Sequence, residues 1–163
     1  MEYYSYFFLL LIGLSKKGLI KIEENRYRKI YVLKLENKGF EYYVGHTSKT
    51  MENIFKEHLN GGRALTRNNQ PVEIVEVSEI GLTDRLKADN LTTNKAVECM
   101  GRYGIENVRG GRFTSKNKEY HLQDVAIHIS LDEDLAFLAP EMRALCKKDK
   151  TGLVNRYEKN LPS

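Results

Sequence analysis

The 163-residue chain is predicted to fold as an α+β domain, a small and mainly antiparallel three-stranded sheet with helices packed on it. Three observations predict this. Lys29-Ile30-Tyr31-Val32-Leu33-Lys34-Leu35 and Glu41-Tyr42-Tyr43-Val44-Gly45-His46-Thr47 are β-branched and aromatic runs of strand length, and Asn37-Lys38-Gly39 between them is turn chemistry, so the pair reads as a β-hairpin. Thr50 to Leu59 carries Met51, Ile54, Phe55, His58 and Leu59 at helical spacing. Pro71 to Val77 then alternates apolar and charged residues, the pattern of a half-buried strand.

Taken in order, the hairpin matters most because it aligns two tyrosines. Tyr31 and Tyr43 are separated by an even number of residues, so with the turn in register they share one sheet face while Tyr42 points to the other. Thr50 suits the N-cap of the first helix, and Asn60-Gly61-Gly62 stops it. Gly81 and Thr83-Asp84 form a connector between Ser78 and Arg85. From about Asp84 to Tyr103 a second helix is expected, with Leu86, Leu91, Ala96, Val97 and Met100 as its buried stripe and Gly104 at its end. Thr114 to Glu119 is polar, and Leu131 to Lys148 reads as an amphipathic helix interrupted or started afresh at Pro140. The charged tail from Lys147 is expected to be mobile at its end.

Composition sets the class. Hydrophobic residues at 41% and charged residues at 29% argue against both disorder and a membrane protein. A net charge of +4 permits a polyanionic partner without demanding one. The apolar run Tyr3 to Leu14 is shorter than the roughly 20 residues of a spanning helix, and Glu2 stands where a signal peptide would carry positive charge. It is read as an added strand or short helix, or as a start codon assigned too far upstream. Cys99 and Cys146 lack a paired-thiol or zinc spacing and read as reduced thiols of an intracellular, non-secreted protein.

The two hairpin tripeptides, Lys29-Ile30-Tyr31 and Tyr43-Val44-Gly45, carry a resemblance together with Glu57-His58 and Asn60-Gly61, the loop Ala64-Leu65-Thr66-Arg67 before Gln70-Pro71, and the run Met100 to Gly111. With these landmarks in this order the chain resembles the GIY-YIG nuclease superfamily, in the form met in large DNA viruses and phages. The first tripeptide has lost its glycine. The resemblance covers residues 28–113, leaving residues 1–27 as an N-terminal apolar extension and 114–163 as a C-terminal helical appendage.

The resemblance implies metal-dependent phosphodiester hydrolysis with Mg or Mn, and it sets demands on the site. Tyr31 and Tyr43 meet the demand for two tyrosines that position or deprotonate the nucleophile, though tyrosine also simply suits strands. His46 follows the second tripeptide, as a proton carrier, a phosphate contact or a solvated loop histidine. His58 resembles the helix-end histidine of relatives and is read as a structural hydrogen-bonding group. The phosphate-binding arginine is missing: its position falls on Ile54, so Arg63 or Arg67 from the following loop would have to substitute. The metal carboxylate is missing as well, because its position falls on Thr92 to Asn94, leaving Asp89 and Glu98 as stand-ins.

Basic residues cluster as Arg63 with Arg67, and as Arg102, Arg109, Arg112, Lys116 and Lys118, which suits contact with a nucleic-acid backbone, DNA before RNA, as well as a solvated face. Gly110-Gly111 would admit close backbone approach, and Phe113 would stack on a base. Three functions compete: hydrolysis of nucleic acid, binding without cleavage, and a protein-interaction scaffold. A cleft holding Tyr31, Tyr43, a loop arginine and Asp89 or Glu98 supports a nuclease. An apolar floor around Ile54 opposes it.

Overall fold

The computed structural model describes residues 24–152 and 154–162, so the apolar N-terminal run at residues 3–14 lies outside the described residues. The elements are β1 (Arg26–Leu35), β2 (Tyr42–Thr47), α1 (Met51–Leu59), β3 (Pro71–Thr83), α2 (Arg85–Tyr103), β4 (Val108–Gly110), α3 (Lys118–Leu131) and α4 (Ala139–Lys148), with short 3-10 turns at Ile105–Asn107, Glu133–Leu138 and Asn155–Asn160. The class is α+β. The sheet has four strands rather than the expected three, in the order β3-β1-β2-β4, and it is mixed: β1 pairs antiparallel with β2 and β3, while β4 pairs parallel with β2.

The fourth strand arises from the Val108-Arg109-Gly110 run, too short to announce itself by alternation. Glycine lets it dock. A Cβ on Gly110, whose φ is +150°, would lie 2.3 Å from the Val44 carbonyl oxygen, and one on Gly111, at φ +54°, would lie 2.5 Å from Thr93 Cα. The close approach expected of these glycines is therefore to the protein's own β2 and α2.

The hairpin forms in the expected register, Leu33 opposite Tyr43 and Tyr31 opposite Gly45, with Asn37 (φ 62°) and Gly39 (φ 108°) in the turn. Alternation gives the sheet two dressed faces. Tyr31, Leu33, Leu35 and Phe40 meet Ile54 beneath α1, while Ile30, Val32 and Val44 join α2, α3 and α4 in the larger core. The C-terminal helices thus share one core with the sheet. Thr50 caps α1 by accepting from the Asn53 N–H, and Asp84 caps α2 by accepting from the Lys87 N–H.

Several expectations are corrected. β3 runs on through the expected connector to Thr83, bulged three times against β1. Leu86 is 71% exposed, and the buried stripe of α2 uses Ala88, Thr92 and Cys99 beside Ala96, Val97 and Met100. α3 covers a stretch to which no element was assigned; the helix expected to start afresh at Pro140 does so, with the proline in the first turn of α4. The tail is anchored: Val154 and Leu161 are buried, and Arg143 donates to the Leu161 and Pro162 carbonyls. Among the described residues no helix is long and apolar enough to cross a membrane.

Candidate functional site

The tyrosine pair forms at the end of the hairpin because Gly45 leaves room for it. Tyr31 and Tyr43 lie on neighbouring strands and one face, ring centroids 6.2 Å apart at 52°. Tyr42 turns to the opposite face and stacks on Tyr103 at 4.0 Å. Tyr31 Oη lies 3.0 Å from His58 Nε2, and His58 Nδ1 lies 2.7 Å from Thr66 Oγ1, so a buried polar chain runs from the tyrosine through α1 to the following loop. A neutral imidazole suits this chain, since it offers one donor and one acceptor.

Burial, and next the neighbouring Tyr43, push the Tyr31 hydroxyl above the ordinary phenol range. Burial also raises Tyr43, against the pull of the Arg63 guanidinium. The same burial, helped by Arg63, lowers His58 to about 4. Both phenols therefore stay protonated at neutral pH and serve as donors. His58 stays neutral and is a weak base.

These side chains open into a cleft of about 800 Å³ lined by Tyr31, Tyr43, Gly45, His46, Lys49, Arg63, Arg85 and Asp89, together with Glu24, Arg26 and Arg28. β4 covers β2 only from Tyr42 to Val44, so the strand edge from Gly45 onward is left for the cleft to cross. On the tyrosine side Arg63 reaches Glu57 at 3.3 Å, and Lys49 pairs with the same carboxylate. On the α2 side His46 Nε2 donates to Asp89 Oδ1 at 2.8 Å, and Arg85 Nε lies 3.6 Å from Asp89 Oδ2. Five basic side chains line the cleft against two carboxylates, Glu24 and Asp89. Such a surface attracts an anion.

The structure brings Tyr31, Tyr43, His46, Arg63 and Asp89 to one cleft, although they are spread over two strands, a loop and a helix. Ile54 is fully buried among Leu33, Leu35 and Phe40, so an apolar floor lies under the tyrosines as well, and both expected discriminators are present together. Glu98 does not reach the cleft; it pairs with Lys95 at 3.0 Å and Arg102 at 2.8 Å on the outer side of α2. Arg67 donates to the Gly61 carbonyl outside the cleft. Arg112 and Lys116 are exposed, with Arg112 next to the cleft residue Gly111.

Arg109 corrects the expectation of a nucleic-acid contact. It is fully buried, donates to the carbonyls of Ser115, Glu106 and Val108, and lies 5.1 Å over the Phe40 ring. Phe113 is 1% exposed and cannot stack on a base. Sequence reasoning missed Arg28, Lys49 and Arg85. The signal for Arg85 was present, because it stands one helical turn before Asp89 and so shares its face.

Among the described residues no three His, Cys, Asp or Glu side chains converge on a point. Asp89, the one α2 carboxylate in the cleft, has its two oxygens turned to nitrogen donors. This donor set suits a divalent ion poorly, because Asp89 already faces two nitrogen donors and five basic side chains line the same cleft. No match to the chain is found among protein-family models, curated proteins or solved structures.

The buried histidines predict acid sensitivity. His121 is buried against the Ile105 carbonyl and is lowered by burial and by Arg109 to about 3, as His58 is lowered to about 4, both from an ordinary 6.5. Below pH 6.5 the unfolded chain takes up protons that the folded one refuses, so stability present at neutral pH is lost as pH falls towards these values. The unfolding free energy from urea titration is expected to fall by about 2 kcal/mol per histidine between roughly pH 7 and pH 5. Stability that stays flat across that window would show that neither ring is held neutral by burial.

Proposed function

We propose that this chain acts on nucleic acid as a GIY-YIG-type domain, seating a phosphodiester backbone in the cleft between the Tyr31-Tyr43 pair and α2. The observation that carries the reading is the convergence of five basic side chains and the two tyrosines on one groove. Guanidinium groups offer paired donors to phosphate, and the protonated phenol of Tyr43, the less buried of the two tyrosines, adds a neutral donor inside the ring of charge. Groups of this kind read the backbone and not the bases.

Hydrolysis is the second reading. Arg63 favours it, since it stands close enough to both tyrosines to influence them and so supplies positive charge where Ile54 cannot. A nucleophilic water, however, needs a base. Tyr31 and His58 are both shifted away from accepting a proton from it at neutral pH, so turnover is expected to be slow beside tight binding.

Fluorescence anisotropy with labelled single-stranded, duplex and branched oligonucleotides tests the binding, and the same substrates with Mg or Mn test cleavage. Arg63→Ala is expected to weaken binding similarly across sequences and to flatten the dependence of log affinity on log salt by about one unit per lost phosphate contact. An affinity and slope identical to wild type would place the nucleic-acid surface elsewhere.

A further inference from the structure

We infer that Asp89 is the anchor of the cleft wall and not a metal ligand, so that this cleft takes up a phosphodiester without a divalent ion. The inference rests on the phosphate-binding reading above and parts from the metal-dependent chemistry that the sequence resemblance implies. Its ground is what Asp89 touches. Oδ1 accepts the His46 Nε2 proton at 2.8 Å, which ties α2 to the end of strand β2, and Oδ2 faces Arg85 at 3.6 Å, which holds that guanidinium beside the cleft.

A magnesium or manganese site built by protein usually draws on one or two carboxylates together with the phosphates of the substrate. The cleft holds two carboxylates, and both are already turned to cations or N–H donors: Asp89 to His46 and Arg85, and Glu24 to Arg26 at 3.7 Å. Glu98 is committed to Lys95 and Arg102 outside the cleft. Glu57 bridges Lys49 and Arg63. Thr92, which lines the cleft where a second carboxylate would be wanted, donates its hydroxyl to the Ala88 carbonyl at 2.6 Å. A dication placed at Asp89 would displace two nitrogen donors and enter a groove already lined by Arg26, Arg28, Lys49, Arg63 and Arg85. The phosphate charge that a metal would neutralise is met by those side chains instead.

The sign of one substitution separates the two roles. Asp89→Asn removes the carboxylate charge but keeps an oxygen to accept from His46. If Asp89 is an anchor, the variant keeps the His46 bond, loses a repulsion towards phosphate and frees the Arg85 guanidinium to pair with phosphate instead, and it is expected to bind oligonucleotide up to about tenfold more tightly, equally in EDTA and in millimolar Mg at matched ionic strength. If Asp89 holds a metal that bridges to phosphate, the variant binds more weakly in Mg and only there, which overturns the inference.

Two readouts need no nucleic acid. Titration of wild type and Asp89→Ala with Mn alone is expected to give superimposable isotherms without a saturable site, and a saturable site lost in the variant would overturn the inference. The His46 ring nitrogen shifts are expected to move in Asp89→Ala and to return in Asp89→Asn; shifts unchanged in both would overturn the anchoring role. Should wild type bind no oligonucleotide at all, the reading of the cleft as a phosphate site fails, while the Mn titration and the ring shifts still decide the role of Asp89.

Discussion

Arg109→Ala is expected to cost about 4 kcal/mol of stability, seen as a fall in urea midpoint at unchanged slope, and to leave the nucleic-acid affinity of the folded protein where it was. The guanidinium carries three backbone carbonyls, those of Ser115, Glu106 and Val108, and truncation leaves all three without this donor, the Val108 carbonyl in a buried site. It also leaves a cavity beneath Phe40. The charge itself is poorly compensated. Burial lowers the group to about 10, with Glu106 the acid that acts against this, and one nitrogen, Nη2, is buried without a hydrogen-bond partner among the described residues. Arg109→Met, which keeps much of the volume and discards the charge, is therefore expected to lose less than the alanine variant. A normally stable Arg109→Ala with weakened oligonucleotide binding would return Arg109 to the surface.

Arg109 also shows where the sequence stops being legible. Composition and spacing mark it as one cation among several between Arg102 and Lys118, and nothing local distinguishes a buried guanidinium from a solvated one. Its burial is decided by a tertiary event, the docking of β4 beside β2, which needs Gly110 and Gly111 but offers no periodic pattern. The hairpin, both caps and the shared face of the two tyrosines were legible because each depends on residues close in sequence. Helical spacing brought Asp89 into the candidate set, and the fold places it in the cleft, but only the fold shows His46 already bonded to it. β3 was read too short because Gly81 and Thr83-Asp84 are turn-type residues locally, whereas in the fold β1 pairs with β3 as far as Thr83.

Gly45→Ala is expected to disable the tyrosine pair while the basic rim persists. The substitution asks little of the backbone, since Gly45 is not among the residues with positive φ. The obstacle is space. A Cβ there would lie 2.6 Å from Tyr31 Oη, 2.7 Å from Tyr31 Cζ and 2.9 Å from Tyr43 Cε1, where ordinary contact begins near 3.4 Å. Tyr31 is 1% exposed, bonded to His58 and packed with Leu33 and Ile54, so its ring cannot swing into solvent without breaking the polar chain to Thr66. Overpacking of this kind typically costs about 1–3 kcal/mol. A displacement of about 1 Å at a positioned group is enough to reduce a rate by about a hundredfold, so any cleavage that depends on the tyrosines should fall by that order. Binding should change far less, because Arg28, Arg63 and Arg85 approach the cleft from other elements. The chain has no tryptophan, so near-UV circular dichroism reports its tyrosines directly and follows the displacement whether or not turnover is measurable. An alanine variant with wild-type stability and an unchanged near-UV spectrum would show that the glycine is not there to make room for the two rings.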